Sequence, residues 1–157
     1  VDIVGPSNLL TLLESIPPYW KPALNMLKVR IGGDPATPEG RAFLKGQSPL
    51  TYAEKIRKPL LIAQGANDPR VKQAEADQIV KELEEKNIPV TYVLYPDEGH
   101  GFKRPENRMS FFAITEAFLA KSLGGREEPV GKDFEGSSLQ IKAEGGLVLD
   151  SKPPAIN

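Results

Sequence analysis

Asp68 and His100 are the two residues whose types and setting point to chemistry. His100 is the only histidine of the chain and stands between two glycines in PDEGHGF, residues 96–102. Asp68 lies 32 residues earlier, in ANDPRV, residues 66–71. A carboxylate within reach of an imidazole accepts its Nδ1–H, fixes the tautomer and stabilises the imidazolium that forms when Nε2 takes a proton. That is equipment for general acid–base catalysis. The neighbouring polar residues read more plainly. Asp97 and Glu98 are expected to be solvated turn carboxylates. Arg70 either pairs with a carboxylate or lies on the surface. Asp68 has a second available role, as N-cap of the helix that follows it. Tyr19 and Trp20 are expected to pack in the core, with a substrate side pocket as the alternative.

The elements that must hold Asp68 and His100 are legible in the second half of the chain. PLLIAQG, 59–65, is a continuous apolar run between proline and glycine, which suits a strand covered on both faces. KQAEADQIVKELEEKN, 72–87, places Ala76, Ile79, Val80 and Leu83 on one helical face. Glu82 precedes Lys86 by one turn, the favourable order for a helical pair. PVTYVLYP, 89–96, is rich in β-branched and aromatic residues and reads as the next strand. PENRMSFFAITEAFLAKSLGG then reads as a helix from Pro105 to a stop at Gly124-Gly125. Strand, helix, strand, helix with short connections is a parallel α/β unit. Functional side chains of such sheets sit on loops past the carboxyl ends of the strands, and those loops carry Asp68 and His100.

The first half is more broken. VDIV, 1–4, reads as a short strand, followed by a leucine-rich helix with Ser7 as its N-cap. ALNMLKVRIGG reads as a helix with a glycine stop, and TPEGRAFLKG as another with Thr37 as N-cap and Pro38 at its first position. From residue 126 the chain turns polar. LQIKA-EGG-LVLD alternates like a small hairpin around glycines, in a tail expected to be peripheral or partly disordered. The expected division is thus 1–125 and 126–157.

Bulk composition narrows the function classes. Apolar residues at 39% and charged residues at 26% are values of a soluble globular domain. A net charge of −1 supplies no field for nucleic acid or an anionic membrane, so neither is expected as a partner. No apolar run reaches the roughly 18 residues of a membrane span. With no cysteine there is no disulfide, thiolate metal site or cysteine nucleophile, and one histidine is a poor start for zinc. No cofactor or metal is implied.

PLLIAQGANDPRV followed by YPDEGHGF resembles the prolyl oligopeptidase family of serine peptidases, in particular its acylaminoacyl-peptidase-like and dipeptidyl-peptidase-like members. The resemblance covers roughly residues 1–125 and implies the C-terminal part of an α/β-hydrolase catalytic domain, a partial fold of about three parallel strands flanked by helices. It implies Asp68 as triad acid, His100 as triad base, and short or N-acylated peptides as substrates of the parent enzyme. Lys72 departs from a proline often found after DPRV in the family, which touches the start of the helix and leaves the pair intact.

A triad also needs a serine on a G-x-S-x-G elbow, and this sequence has no such pentapeptide. GPSNL, 5–9, comes nearest but has Leu9 where the elbow needs glycine, and the serines of GSS, 136–138, follow no strand. The chain opens at VDIVG without a methionine. The expectation is a fragment that begins after its own nucleophile, inactive alone, whose partners are its missing N-terminal half and a second copy of itself. The alternatives are an esterase-like or dienelactone-hydrolase-like fragment, or a non-catalytic fragment that only self-associates.

Overall fold

A computed structural model describes residues 1–151. Its centre is the pair β2 (Leu60–Gly65) and β3 (Val90–Tyr95), parallel and in register from Leu60↔Val90 to Gly65↔Tyr95. β1 (Asp2–Ile3) lies parallel to β2 on one side, and β4 (Gln140–Glu144) lies antiparallel to β3 on the other. The sheet order is β1-β2-β3-β4. The three parallel strands are those expected.

Both sheet faces are covered, which is why β2 and β3 carry apolar residues at nearly every position. Leu61, Ala63, Val93 and Tyr95 point toward α5 (Pro105–Leu123), where Phe111, Ile114, Ala117 and Phe118 meet them. Ile62, Tyr92 and Leu94 point the other way, onto Ala76, Ile79, Val80 and Leu83 of α4 (Gln73–Glu85). The expected Glu82–Lys86 pair forms at 3.1 Å on the outer face of α4. Among the described residues no helix is long and apolar enough to cross a membrane.

The first half wraps one end of this unit as α1 (Leu9–Glu14), α2 (Leu24–Ile31) and α3 (Pro38–Gln47), with 3-10 turns at Pro18–Ala23 and Pro49–Lys55. Gly32 ends α2 in the left-handed region at φ 97°, and the Thr37 hydroxyl accepts the Gly40 N–H at 3.0 Å to cap α3, both as expected. The cap of α1 is a correction. Asn8, not Ser7, is the N-cap, its Oδ1 accepting the Leu10 N–H at 3.0 Å. Ser7 is drawn inward instead: its hydroxyl donates to the Glu75 carbonyl at 2.6 Å, and its N–H donates to Glu75 Oε2 at 3.1 Å.

The segment after α5 also departs from expectation. Val130, Phe134, Leu139 and Leu147 are buried and complete the α5 side of the core. The expected hairpin does not form. Gln140–Glu144 joins β3 with a bulge at Tyr92/Val93, and residues 147–150 form no strand. A two-stranded ribbon alone is marginal in water, whereas the free edge of β3 offers a ladder and a core to fill. The tail expected to be peripheral or partly disordered spans 126–157, and its residues 152–157 lie outside the described residues.

Candidate active site

Asp68 sits three residues past the end of β2, and its side chain is fully buried. Its two oxygens have separate partners. Oδ1 accepts the N–H of Arg70 at 2.8 Å and of Val71 at 2.9 Å. Oδ2 faces His100 Nδ1 at 2.8 Å. The expected capping of α4 is therefore not its role: α4 starts after Lys72 with no side-chain cap, and Asp68 holds the turn before it. An ionised carboxylate only accepts, so the 2.8 Å contact sets the neutral imidazole as the Nδ1–H tautomer and leaves the Nε2 lone pair free. The His100 side chain keeps 32% exposure while its carboxylate partner has none. A dry carboxylate behind an open imidazole is the arrangement a general base requires.

The two site loops meet through their backbones. Asn67 N–H donates to the Glu98 carbonyl at 2.9 Å, and Ala66 N–H to the Tyr95 carbonyl at 3.0 Å. Gly65 permits this approach, since a Cβ there would lie 2.2 Å from the Gly99 carbonyl oxygen. Gly101 takes φ 101°, the left-handed region, and turns the chain back after the histidine.

The remaining sequence candidates separate. Glu98 is 3% exposed, which corrects its expected place among solvated turn residues. Burial raises its pKa, but the N–H groups of Lys103, Asn107 and Arg104 outweigh that and hold the carboxyl below its usual range. Asp97 is exposed, as expected, and bonded to Arg104, Asn107 and Ser138. The Arg70 guanidinium lies over the Trp20 ring, 5.8 Å from its centroid, beside the Asp68 turn. Trp20 is only half-buried and Tyr19 is 61% exposed, so core packing is not their role. The hydroxyls of Ser7, Ser137 and Ser138 are engaged with Glu75, Ser110 and Asn107, and none bonds to His100. Sequence reasoning missed Asn107, wholly buried under the histidine loop. Its place on the inward stripe with Phe111, Ile114 and Phe118 was the available signal.

The chain is similar to known proteins along most of its length. The chain is 65% identical, over 90% of its length, to dipeptidyl aminopeptidase BIII of Pseudoxanthomonas mexicana, and 52% identical, over 92%, to dipeptidyl peptidase family member 6 of Caenorhabditis elegans. It spans about a fifth of each relative, 20% in both cases. Among solved structures, a puromycin-hydrolysing peptidase of Mycobacterium tuberculosis superposes with a TM-score of 0.70 at 25% identity, over 80% of this chain and 18% of that one. These neighbours are α/β-hydrolase peptidases, and the four-stranded sheet with its flanking helices is a partial α/β-hydrolase fold. Residues 19–126 match the model of the prolyl oligopeptidase family, and the chain belongs to that family of serine-type peptidases.

Proposed function

We propose that this chain supplies the acid and base of a serine-peptidase triad, with the nucleophilic serine coming from outside these 157 residues. His100 Nε2 takes the proton of the serine hydroxyl as it attacks the peptide carbonyl. Asp68 keeps the ring in its Nδ1–H tautomer and stabilises the imidazolium, which then returns the proton to the leaving amine. The same pair next activates the water that releases the acyl group. The observation that carries this reading is the 2.8 Å contact between an open imidazole and a buried carboxylate whose other oxygen is fixed by two backbone N–H groups. The substrate class is short peptides, and the names of the relatives at 65% and 52% identity favour release of dipeptides over release of N-acylated residues.

Alone, the chain is inactive and its partner is the polypeptide that carries the elbow serine. A second partner is another copy of itself, because β1 pairs only with β2 among the described residues. The test is a chimera in which this chain replaces the matching fifth of dipeptidyl aminopeptidase BIII. The chimera cleaves dipeptides from a chromogenic substrate, and Asp68→Asn lowers its kcat by about 10⁴-fold, the loss known for that change in a Ser-His-Asp triad. A folded Asp68→Asn chimera with undiminished kcat refutes the assignment.

A further inference from the structure

Asp68 holds the ring of His100, but it does not hold the loop that carries the ring. His100 stands between two glycines, which leave the backbone on either side few steric limits. Two residues earlier, Glu98 is tied across the far end of that loop. Its Oε2 accepts the Lys103 N–H at 2.9 Å, while its Oε1 accepts the Arg104 N–H at 2.9 Å and an Asn107 Nδ2–H at 2.8 Å. Residues 99–102 are thereby closed into an arch whose two feet are one carboxylate and the backbone it binds. Phe102, at the downstream foot, packs on Tyr95 at 4.4 Å and on Phe111 at 5.2 Å between ring centroids.

Asn107 extends the tie in two directions. Its second Nδ2–H goes to Asp97 Oδ1 at 3.0 Å, and its Oδ1 accepts the Ser138 N–H at 2.9 Å and the Ser137 hydroxyl at 3.0 Å. The Ser138 backbone donor fixes the orientation of the amide: turned over, it would set N–H against N–H and its carbonyl against two carboxylates. Ser137 also meets Ser110 at 2.8 Å, and Ser110 meets the Tyr95 hydroxyl at 3.1 Å. The end of β3, the histidine loop, the first turns of α5 and the segment before β4 are joined through one buried amide.

We propose that Glu98 and Asn107 are positioning residues for His100, and that Ser137 and Ser138 make the segment before β4 part of the same lock. Hydrogen bonds to an ionised acceptor are roughly twice as strong as neutral ones, and Glu98 collects three, two from the loop backbone at Lys103 and Arg104 and one from Asn107 of α5. The lock keeps the arch at the height where Nδ1 meets Asp68. The inference rests on the reading of Asp68 and His100 as the acid–base pair. The competing account is that Glu98 only caps the start of α5.

The 157-residue chain tests this directly, because its single histidine gives one unambiguous set of imidazole nitrogen resonances. In the unaltered chain at neutral pH the Nδ1–H tautomer dominates; an Nε2–H majority overturns the acid–base reading itself. Glu98→Gln keeps the shape but turns one acceptor into a donor facing N–H groups. It lowers the Nδ1–H to Nε2–H ratio by about tenfold, the size expected for losing a hydrogen bond to a charged acceptor. Ile114→Val, in the same core but away from the network, leaves the ratio unchanged and shows that general loosening is not the cause. If Glu98→Gln loosens the Lys103 and Arg104 amides in hydrogen exchange yet keeps the wild-type ratio, Glu98 is a helix cap and the proposal fails. If Glu98→Gln does not fold, Ser137→Ala, which removes the hydroxyl shared with Asn107 and Ser110, decides: a lowered ratio supports the lock, an unchanged one overturns it.

Discussion

Replacing Gly65 with alanine inserts one carbon at the closest approach of the two site loops. The new Cβ would lie 2.2 Å from the Gly99 carbonyl oxygen and 2.6 Å from that of Glu98, both backbone atoms with no rotamer to swing away. Contacts of a real Cβ stay above 3.0 Å, so the loops must part by about 0.8 Å at the least. Taken up along the Asp68–His100 contact, that movement stretches 2.8 Å to about 3.6 Å, past hydrogen-bond range. Neither side yields freely. Gly65 is in register with Tyr95, and Asn67 N–H is bonded to the Glu98 carbonyl that would have to retreat. Overpacking of this kind costs about 1–3 kcal/mol, and a lost backbone hydrogen bond adds about 1 kcal/mol. The expected result is a loss of about 2–4 kcal/mol in urea unfolding, together with loss of the Nδ1–H signal of His100. In the active chimera kcat falls by roughly 100-fold, the scale of an ångström of misplacement. A Gly65→Ala chain within about 0.5 kcal/mol of wild type, an ordinary surface effect, with its Nδ1–H signal intact would refute the close packing of the loops.

Phe134→Ala should cost about 3–5 kcal/mol in chemical denaturation, as for a core aromatic; under 1 kcal/mol would return residues 126–151 to the periphery. Acid should weaken the fold through the histidine loop. The folded-state carboxyls of Asp97 and Glu98 lie below their ordinary values of 3.8 and 4.5, because hydrogen bonds and Arg104 outweigh burial. Unfolding then takes up protons, so this contribution is full above about pH 4.5 and is lost as pH falls through the folded-state values. Glu98→Gln should flatten that acid limb, and an unchanged limb would place the lability elsewhere. The edge of β1, unpaired among the described residues and with Val1 51% and Ile3 46% exposed, should make the isolated chain self-associate in light scattering at micromolar concentration. A monomer under those conditions removes the second copy as a partner.

What was legible in the sequence was local. The run from Leu60 to Gly65, the inward face of α4 and the Thr37-Pro38 start of α3 each depend on neighbours within a few residues, and each formed as read. What was hidden depended on distant chain. Ser7 has the composition of a helix cap, but Glu75 lies 68 residues away in sequence and captures it. The alternation at 139–149 was visible, but the partner strand was not, and β3 proved a better partner than the segment's own second half. Glu98 looked like surface because a carboxylate in a turn usually is. Its burial is made affordable by donors at 103, 104 and 107, which only the loop's return brings together. Asn107 was missed, although a polar residue on an apolar stripe signals a buried hydrogen-bond task.

The contact between Asp68 and His100 depends on few elements of the chain. Gly65 and Tyr95 end their strands level with each other, so the loops leaving them start one strand spacing apart. Asp68 follows three residues after the one end and His100 five after the other, each on its own short tether. β1 contributes to neither tether, since it pairs only along Asp2–Ile3 with Ile62 and Ala63. Asp68 is tied by its own turn and, on our proposal, the His100 loop by the network around Glu98, two constraints that converge at Nδ1. The imidazole's outward face bears no such constraint. On our reading the tautomer is set by the loops that leave β2 and β3, and the ring height by those loops together with Asn107 of α5 and the segment before β4.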